Sequence, residues 1–133
     1  MAGSLEAALA AIEGAEELVD TARRLVAGSR RRGIAVTADI DEAVEDAAYA
    51  TRRTMETLQK LDPWSDAETK LFEMTMSQLG AFIDDLGVAM EEVLVGSEGL
   101  WDDVETFTAI MDELEAAVEE FQTSMAEYGS QLS

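Results

Sequence analysis

From Phe72, Met76, Leu79 and Ile83 through to Phe121, Met125 and Tyr128, the chain places an apolar residue at alternating steps of four and three. Ser97 is the only member of this series without an apolar body. An uninterrupted 4-3 repeat is the pattern of helices packed along a seam, as in a coiled coil or a bundle. It constrains the architecture strongly and says little about chemistry.

The flanks of the seam narrow the choice. With Met76 at position a and Phe72 at d, the e positions are Glu73, Gly80, Gly87 and Leu94, and the g positions are Thr75, Phe82, Ala89 and Gly96. A two-stranded coil places charges there; small and apolar flanks predict a helix buried among at least two neighbours. Gly80 and Gly87 are expected to mark a close backbone approach.

The remaining chain supplies those neighbours. A first helix is expected over 4–27, capped by Ser4, alanine-rich and ended by Gly28. Gly14 within it costs up to ~1 kcal/mol in helix propensity. A second is expected over 39–61, opened by Asp39 and Glu42 and only weakly striped. Asp62-Pro63-Trp64 breaks the pattern, since proline disfavours helix in the residue before it. Ser65 and Glu68 form a capping box for a third helix over 66–95, with Trp64 stapling its first turn. A fourth helix spans 100–128, and the tail after it is expected to fray.

Gly96-Ser97-Glu98-Gly99 reads as a turn between helices three and four. The alternative is a continuous helix through this joint, about 85 Å long. The fold class is therefore all-α: an antiparallel four-helix bundle in one domain, 1–133, with helices three and four as its central hairpin.

Charge constrains partners. The 133 residues carry 29 acids and 9 bases, a net −20. Residues 1–61 hold 11 acids and 8 bases, a balance of −3; residues 62–133 hold 18 acids and one base, Lys70, a balance of −17. Such a field repels phosphate backbones and anionic lipid, so neither direct nucleic-acid binding nor membrane association is expected. Self-repulsion fades at molar salt, where the Debye length is about 3 Å. The acid-rich, lysine-poor composition suits a halophilic source as well as a GC-rich genome.

Arg23, Arg24, Arg30, Arg31 and Arg32 concentrate five of the nine bases within ten residues. Cations there offset the dipole at a helix C-terminus. They are also the candidate docking residues for an acidic protein surface, such as the acidic half of another copy.

No catalytic, cofactor or metal residues are assigned. The chain has no histidine and no cysteine, which removes the commonest general base, thiolate chemistry and the usual zinc ligands. Asp84-Asp85, Glu91-Glu92 and Asp102-Asp103 are adjacent pairs that diverge on a helix. Residues 62–73 only superficially resemble a calcium loop, because the central glycine is missing.

The N-terminal stretch lacks a basic region and has acids among its apolar residues, unlike a signal peptide. The uncharged run from Met74 to Ile83 falls far short of the ~20 residues a membrane span needs. A cytoplasmic location, or membership of a soluble particle, is expected. The function expected is non-enzymatic: a structural, assembly or protein-interaction subunit, in a homo-oligomer or a particle such as a virion or secretion machine. An acidic inhibitor or DNA mimic that binds a basic partner is the alternative.

Overall fold

The computed structural model describes residues 2–60, 65–97 and 99–132, with side chains over 6–60, 65–97 and 99–130. Four helices run in chain order: α1 (Ala2–Arg31), α2 (Ala38–Lys60), α3 (Asp66–Ser97) and α4 (Val104–Leu132). They alternate in direction and share one apolar core. The all-α bundle expected from the heptads is what forms.

The neighbours differ from the expected central hairpin. α1 lies most closely along α4, and α2 along α3; α1 also meets α2 and, more sparingly, α3. The cause is the surface of α1. Ala8, Ala11, Ala15 and Ala22 are fully buried there, and their small side chains let a second helix approach. α4 answers with Ile110, Leu114, Ala117, Phe121, Ser124 and Tyr128, its d and g positions. Its a positions Met111, Val118 and Met125 are only half-buried. α4 is thus rolled away from the a/d seam and toward α1.

α3 and α4 meet through longer side chains. The Phe72 and Tyr128 rings pack edge to face with centroids 6.0 Å apart. Neither Gly80 nor Gly87 receives a neighbouring backbone: a β-carbon on Gly80 would meet only the Met125 methyl at 3.7 Å, and one on Gly87 would meet nothing within 4 Å. The close approach expected at these glycines is absent, because α4 has paired with α1 instead.

Helix ends explain the remaining shifts. α1 begins at Ala2, so Ser4 falls inside it, and it passes through Gly28 to Arg31. Gly33, at φ +77°, is the true C′ residue. Its N–H bonds to the Arg30 carbonyl at 3.0 Å and the Ile34 N–H to the Ser29 carbonyl at 2.9 Å, the paired bonds of a Schellman ending. α2 is capped by Thr37, whose hydroxyl and carbonyl both accept from the Ile40 N–H, and not by Asp39. For α3 the expected cap forms: the Glu68 N–H bonds to Ser65 Oγ at 3.2 Å. The break at Asp62-Pro63-Trp64, the Trp64 staple and the end of the second helix at Leu61 lie outside the described residues.

The joint after α3 is a turn. α3 stops at Ser97, the Leu100 N–H bonds back to the Ser97 carbonyl at 3.0 Å, and Gly99 adopts φ +78°. α4 then starts at Val104, four residues later than expected, because Asp103 caps it, accepting from the Thr106 N–H at 3.2 Å. Its last turns continue to Leu132 where fraying was expected.

Candidate protein-docking surface

The five clustered arginines are drawn into the bundle's own contacts. Arg23 pairs with Glu45 at 3.5 Å and Arg30 pairs with Asp41, tying α1 to α2. Arg24 pairs with Glu113, tying α1 to α4. Arg32 lies over the Trp101 ring, 3.9 Å from its centroid, and donates to the Gly28 carbonyl at 2.9 Å. Arg31 alone of the five has no ion pair, hydrogen bond or ring contact among the described residues. Partly exposed pairs of this kind contribute about 0–1 kcal/mol each. The cluster is thus four tethers and one open cation.

Trp101 carries no signal in the repeat, yet it seals this end of the bundle. It is buried, packs against Phe107 with ring centroids 5.3 Å apart, and reaches the α1 backbone where Gly28 leaves room. A β-carbon on Gly28 would come within 2.5 Å of the indole. Gly28 therefore serves packing and not helix termination.

The unsatisfied surface is elsewhere. Met74, Ala81, Val88 and Val95 stand seven residues apart on α3, all at position f, on the side away from the core. Met74 and Val88 are each 60% exposed and Val95 is 72% exposed. Leu100, 57% exposed, prolongs the line at the turn. A surface helix normally turns its polar side to water. α3 instead presents a second apolar line from Met74 to Val95, in addition to its buried a and d positions.

Polar groups border this line unevenly. Toward the C-terminal half stand Asp84, Asp85, Glu91 and Glu92, all exposed. On the α2 side, a groove of about 390 Å³ separates Tyr49, Arg53 and Thr54 from Thr75, Gln78, Ala81 and Phe82. Tyr49 is 58% exposed. Beside it, Arg52, Arg53, Glu56 and Lys60 line a second, shallower depression. Arg52, Arg53 and Lys60 make no ion pair among the described residues. Most of the open cations in this half of the chain are thus on α2, with Arg31 the one left open in the cluster at the end of α1.

A groove of about 630 Å³ lies between the α1–α2 loop and the end of α3, and Arg32 and Glu92 are the charged residues among its described lining. Among the described residues no group of three or more carboxylates could hold a metal ion. No described helix is long and apolar enough to cross a membrane. Asp103 is held below the usual carboxylate range, first by the Thr106 hydroxyl and then by its N–H, as suits a cap.

No protein-family model, curated protein or solved structure matches this chain. Its class follows from the fold and the surface: an acidic all-α bundle with an uncovered apolar line on one helix.

Proposed function

We propose that this chain is a non-enzymatic assembly subunit that acts through protein–protein contact, as part of a homo-oligomer or a larger particle such as a virion or secretion machine. One observation carries the reading: the apolar line on α3 from Met74 to Val95, exposed on the side of the helix away from its buried a and d positions. Large apolar side chains exposed in register along one helix are the kind of surface that a partner covers. The acid-rich surface around it keeps the free protein dispersed and steers it toward complementary charge. Light scattering across protein concentration and salt tests the reading, with affinity capture alongside. A defined oligomer or a stoichiometric partner is expected. A monodisperse monomer at every condition, with nothing captured, would count decisively against it.

A second reading, an acidic inhibitor that occupies a basic groove on a nucleic-acid-binding protein, draws on α4. That helix carries Glu105, Asp112, Glu113, Glu119 and Glu120 on exposed positions and no base along its length. It requires this chain to displace DNA from a basic protein; absence of displacement would rule it out.

A further inference from the structure

We infer that the α2–α3 face pairs with a second copy of this chain about a two-fold axis, with the two α3 helices antiparallel. This rests on the assembly reading above and adds the partner and the geometry.

The shape of the line sets the pairing register. Met74, Ala81, Val88 and Val95 recur every seven residues, the spacing at which one helix covers another along a shallow crossing. Antiparallel pairing centred between Ala81 and Val88 brings Met74 against the second copy's Val95. Ala81 then meets the second copy's Val88. Each of the four exposed residues gains an apolar neighbour, and small faces larger at the centre.

Charge selects both the partner and the direction. The unpaired cations Arg52, Arg53 and Lys60 lie on the C-terminal half of α2, and Lys70 stands at the adjoining start of α3. Arg53 shares a groove with Gln78 and Ala81, which fixes its level along the line. The carboxylates Asp84, Asp85, Glu91 and Glu92 border the opposite half of the same line, and none of them has an ion pair among the described residues. Glu56 stands among these cations but is outnumbered by them, so the face has a net cationic end and an anionic end.

A parallel pair would stack like on like. The two-fold pair sets Arg53 at the level of the second copy's Glu91 and Glu92, and makes that contact twice because the interface is isologous. A wholly basic partner helix would suit the acid half but would set cations against Arg52 and Arg53. Only a partner with the same two ends in reverse order matches both, and a second copy is such a partner. The one like-charge contact lies near the axis, where Asp84 and Asp85 of both copies approach.

Sedimentation equilibrium of the full chain, wild type and variants, tests this. The wild type is expected to be a dimer at micromolar concentration. Val88→Asp should weaken dimerisation about ten-fold or more, with helix content and melting cooperativity unchanged, since Val88 contributes nothing to the core. Arg53→Glu and Glu92→Arg should each weaken the dimer. Together they should restore it toward the wild-type constant, as only a direct or near-direct pair does. Asp85→Asn should tighten it, and Thr123→Asp, exposed on α4, should leave it unchanged.

A wild type that stays monomeric across concentration overturns the self-pairing; the assembly reading then stands or falls on whether a stoichiometric partner is captured. A dimer indifferent to Val88→Asp also overturns it, while leaving the assembly reading intact on another surface. Failure of the double charge exchange to rescue overturns the antiparallel register.

Discussion

A β-carbon placed on Gly14 would lie 3.0 Å from the backbone nitrogen of Phe121 and 3.2 Å from its Cα. Here α1 and α4 approach closely, and the obstructing atoms are mostly main chain. A flexible side-chain tip could swing aside; a helix backbone can only retreat together with the residues packed around it. The closest pair of helices in the bundle thus depends on a missing side chain in the middle of α1. Gly14 is a propensity cost when α1 is considered alone, and a packing requirement once α4 is beside it.

Gly14→Ala is accordingly expected to destabilise the protein by about 1–3 kcal/mol, the usual cost of overpacking. That outcome opposes the gain of up to ~1 kcal/mol that helix propensity alone would give. Gly87→Ala is the control. Nothing lies within 4 Å of its added methyl, so it should stabilise by about 0.5–1 kcal/mol. Urea denaturation at one protein concentration separates the two. Equal, positive shifts would show that α1 and α4 do not approach as described.

The same glycine shows where reading the sequence succeeds and where it stops. Helix number, the all-α class, the turn after Ser97 and the Ser65 cap all follow from local signals: a period, a proline, a capping serine. Which helices lie side by side is not local. The a/d series runs through α3 and α4 in phase, which points to those two as partners. The alanine face of α1, with Gly14 at its centre, offers α4 a closer approach, and the resulting roll buries Ile110, Ala117 and Ser124 at g. The strongest periodic signal therefore identified buried positions better than it identified neighbours.

For the candidate docking surface the signal is present in the chain but lies on the side of α3 away from the seam. Attention to e and g, the usual flanks of a seam, passes over the f positions Met74, Ala81, Val88 and Val95, whose apolar identity is plain in the chain. The arginine cluster, in contrast, is conspicuous in sequence and in space is mostly engaged in contacts within the bundle. Arg24 reaches Glu113 across eighty-nine residues of chain, a pairing that no sequence spacing announces.

Trp101 should rank among the most sensitive positions. Its indole fills the space left by Gly28, contacts Phe107 and lies under Arg32. Trp101→Ala is expected to cost about 3–5 kcal/mol. Arg32→Ala, which removes one partly exposed cation from the ring, should cost about 0.5–1 kcal/mol. Thermal melts followed by circular dichroism would check the order. A Trp101→Ala loss no greater than that of Arg32→Ala would mean that the ring is not sealing the core.

Tyr128 offers a test at alkaline pH. Its hydroxyl is buried without a hydrogen-bond partner among the described residues, and burial, aided by the Glu73 carboxylate, pushes its pKa up to about 12. An unfolded tyrosine ionises near 10, so between pH 10 and 12 the folded chain holds the proton that the unfolded chain releases. Stability must therefore fall as pH rises through that window, by about 1–2 kcal/mol after allowing for solvent screening. Tyr128→Phe keeps the edge-to-face contact with Phe72, removes the unpartnered hydroxyl and should raise neutral stability by about 1 kcal/mol. It should also flatten the alkaline slope. If the slope persists unchanged in that variant, another group is responsible.

At the acid side the α1–α4 contact carries an opposite pair of effects. Glu120 on α4 faces Glu17 and Glu13 on α1. Partial desolvation raises its pKa first, and the Glu17 and Glu13 charges and a hydrogen bond to Glu17 raise it further. A carboxyl with a raised folded-state pKa holds its proton at a pH where the unfolded chain has lost it. Between the ordinary glutamate value and the raised one, stability therefore increases as pH falls. Asp103, with its pKa lowered by Thr106, works in the other direction: its cap is complete above the ordinary aspartate value and is lost as pH falls through the lowered one. The urea midpoint should accordingly rise on acidification from neutrality toward the ordinary glutamate value, then fall steeply below the ordinary aspartate value. Glu120→Gln should raise the midpoint at pH 7 and remove part of the upper rise, whereas Asp103→Asn should blunt the acid fall and leave the upper rise in place. A Glu120→Gln profile parallel to wild type at every pH would show that the repulsion across α1 and α4 is already relieved by solvent.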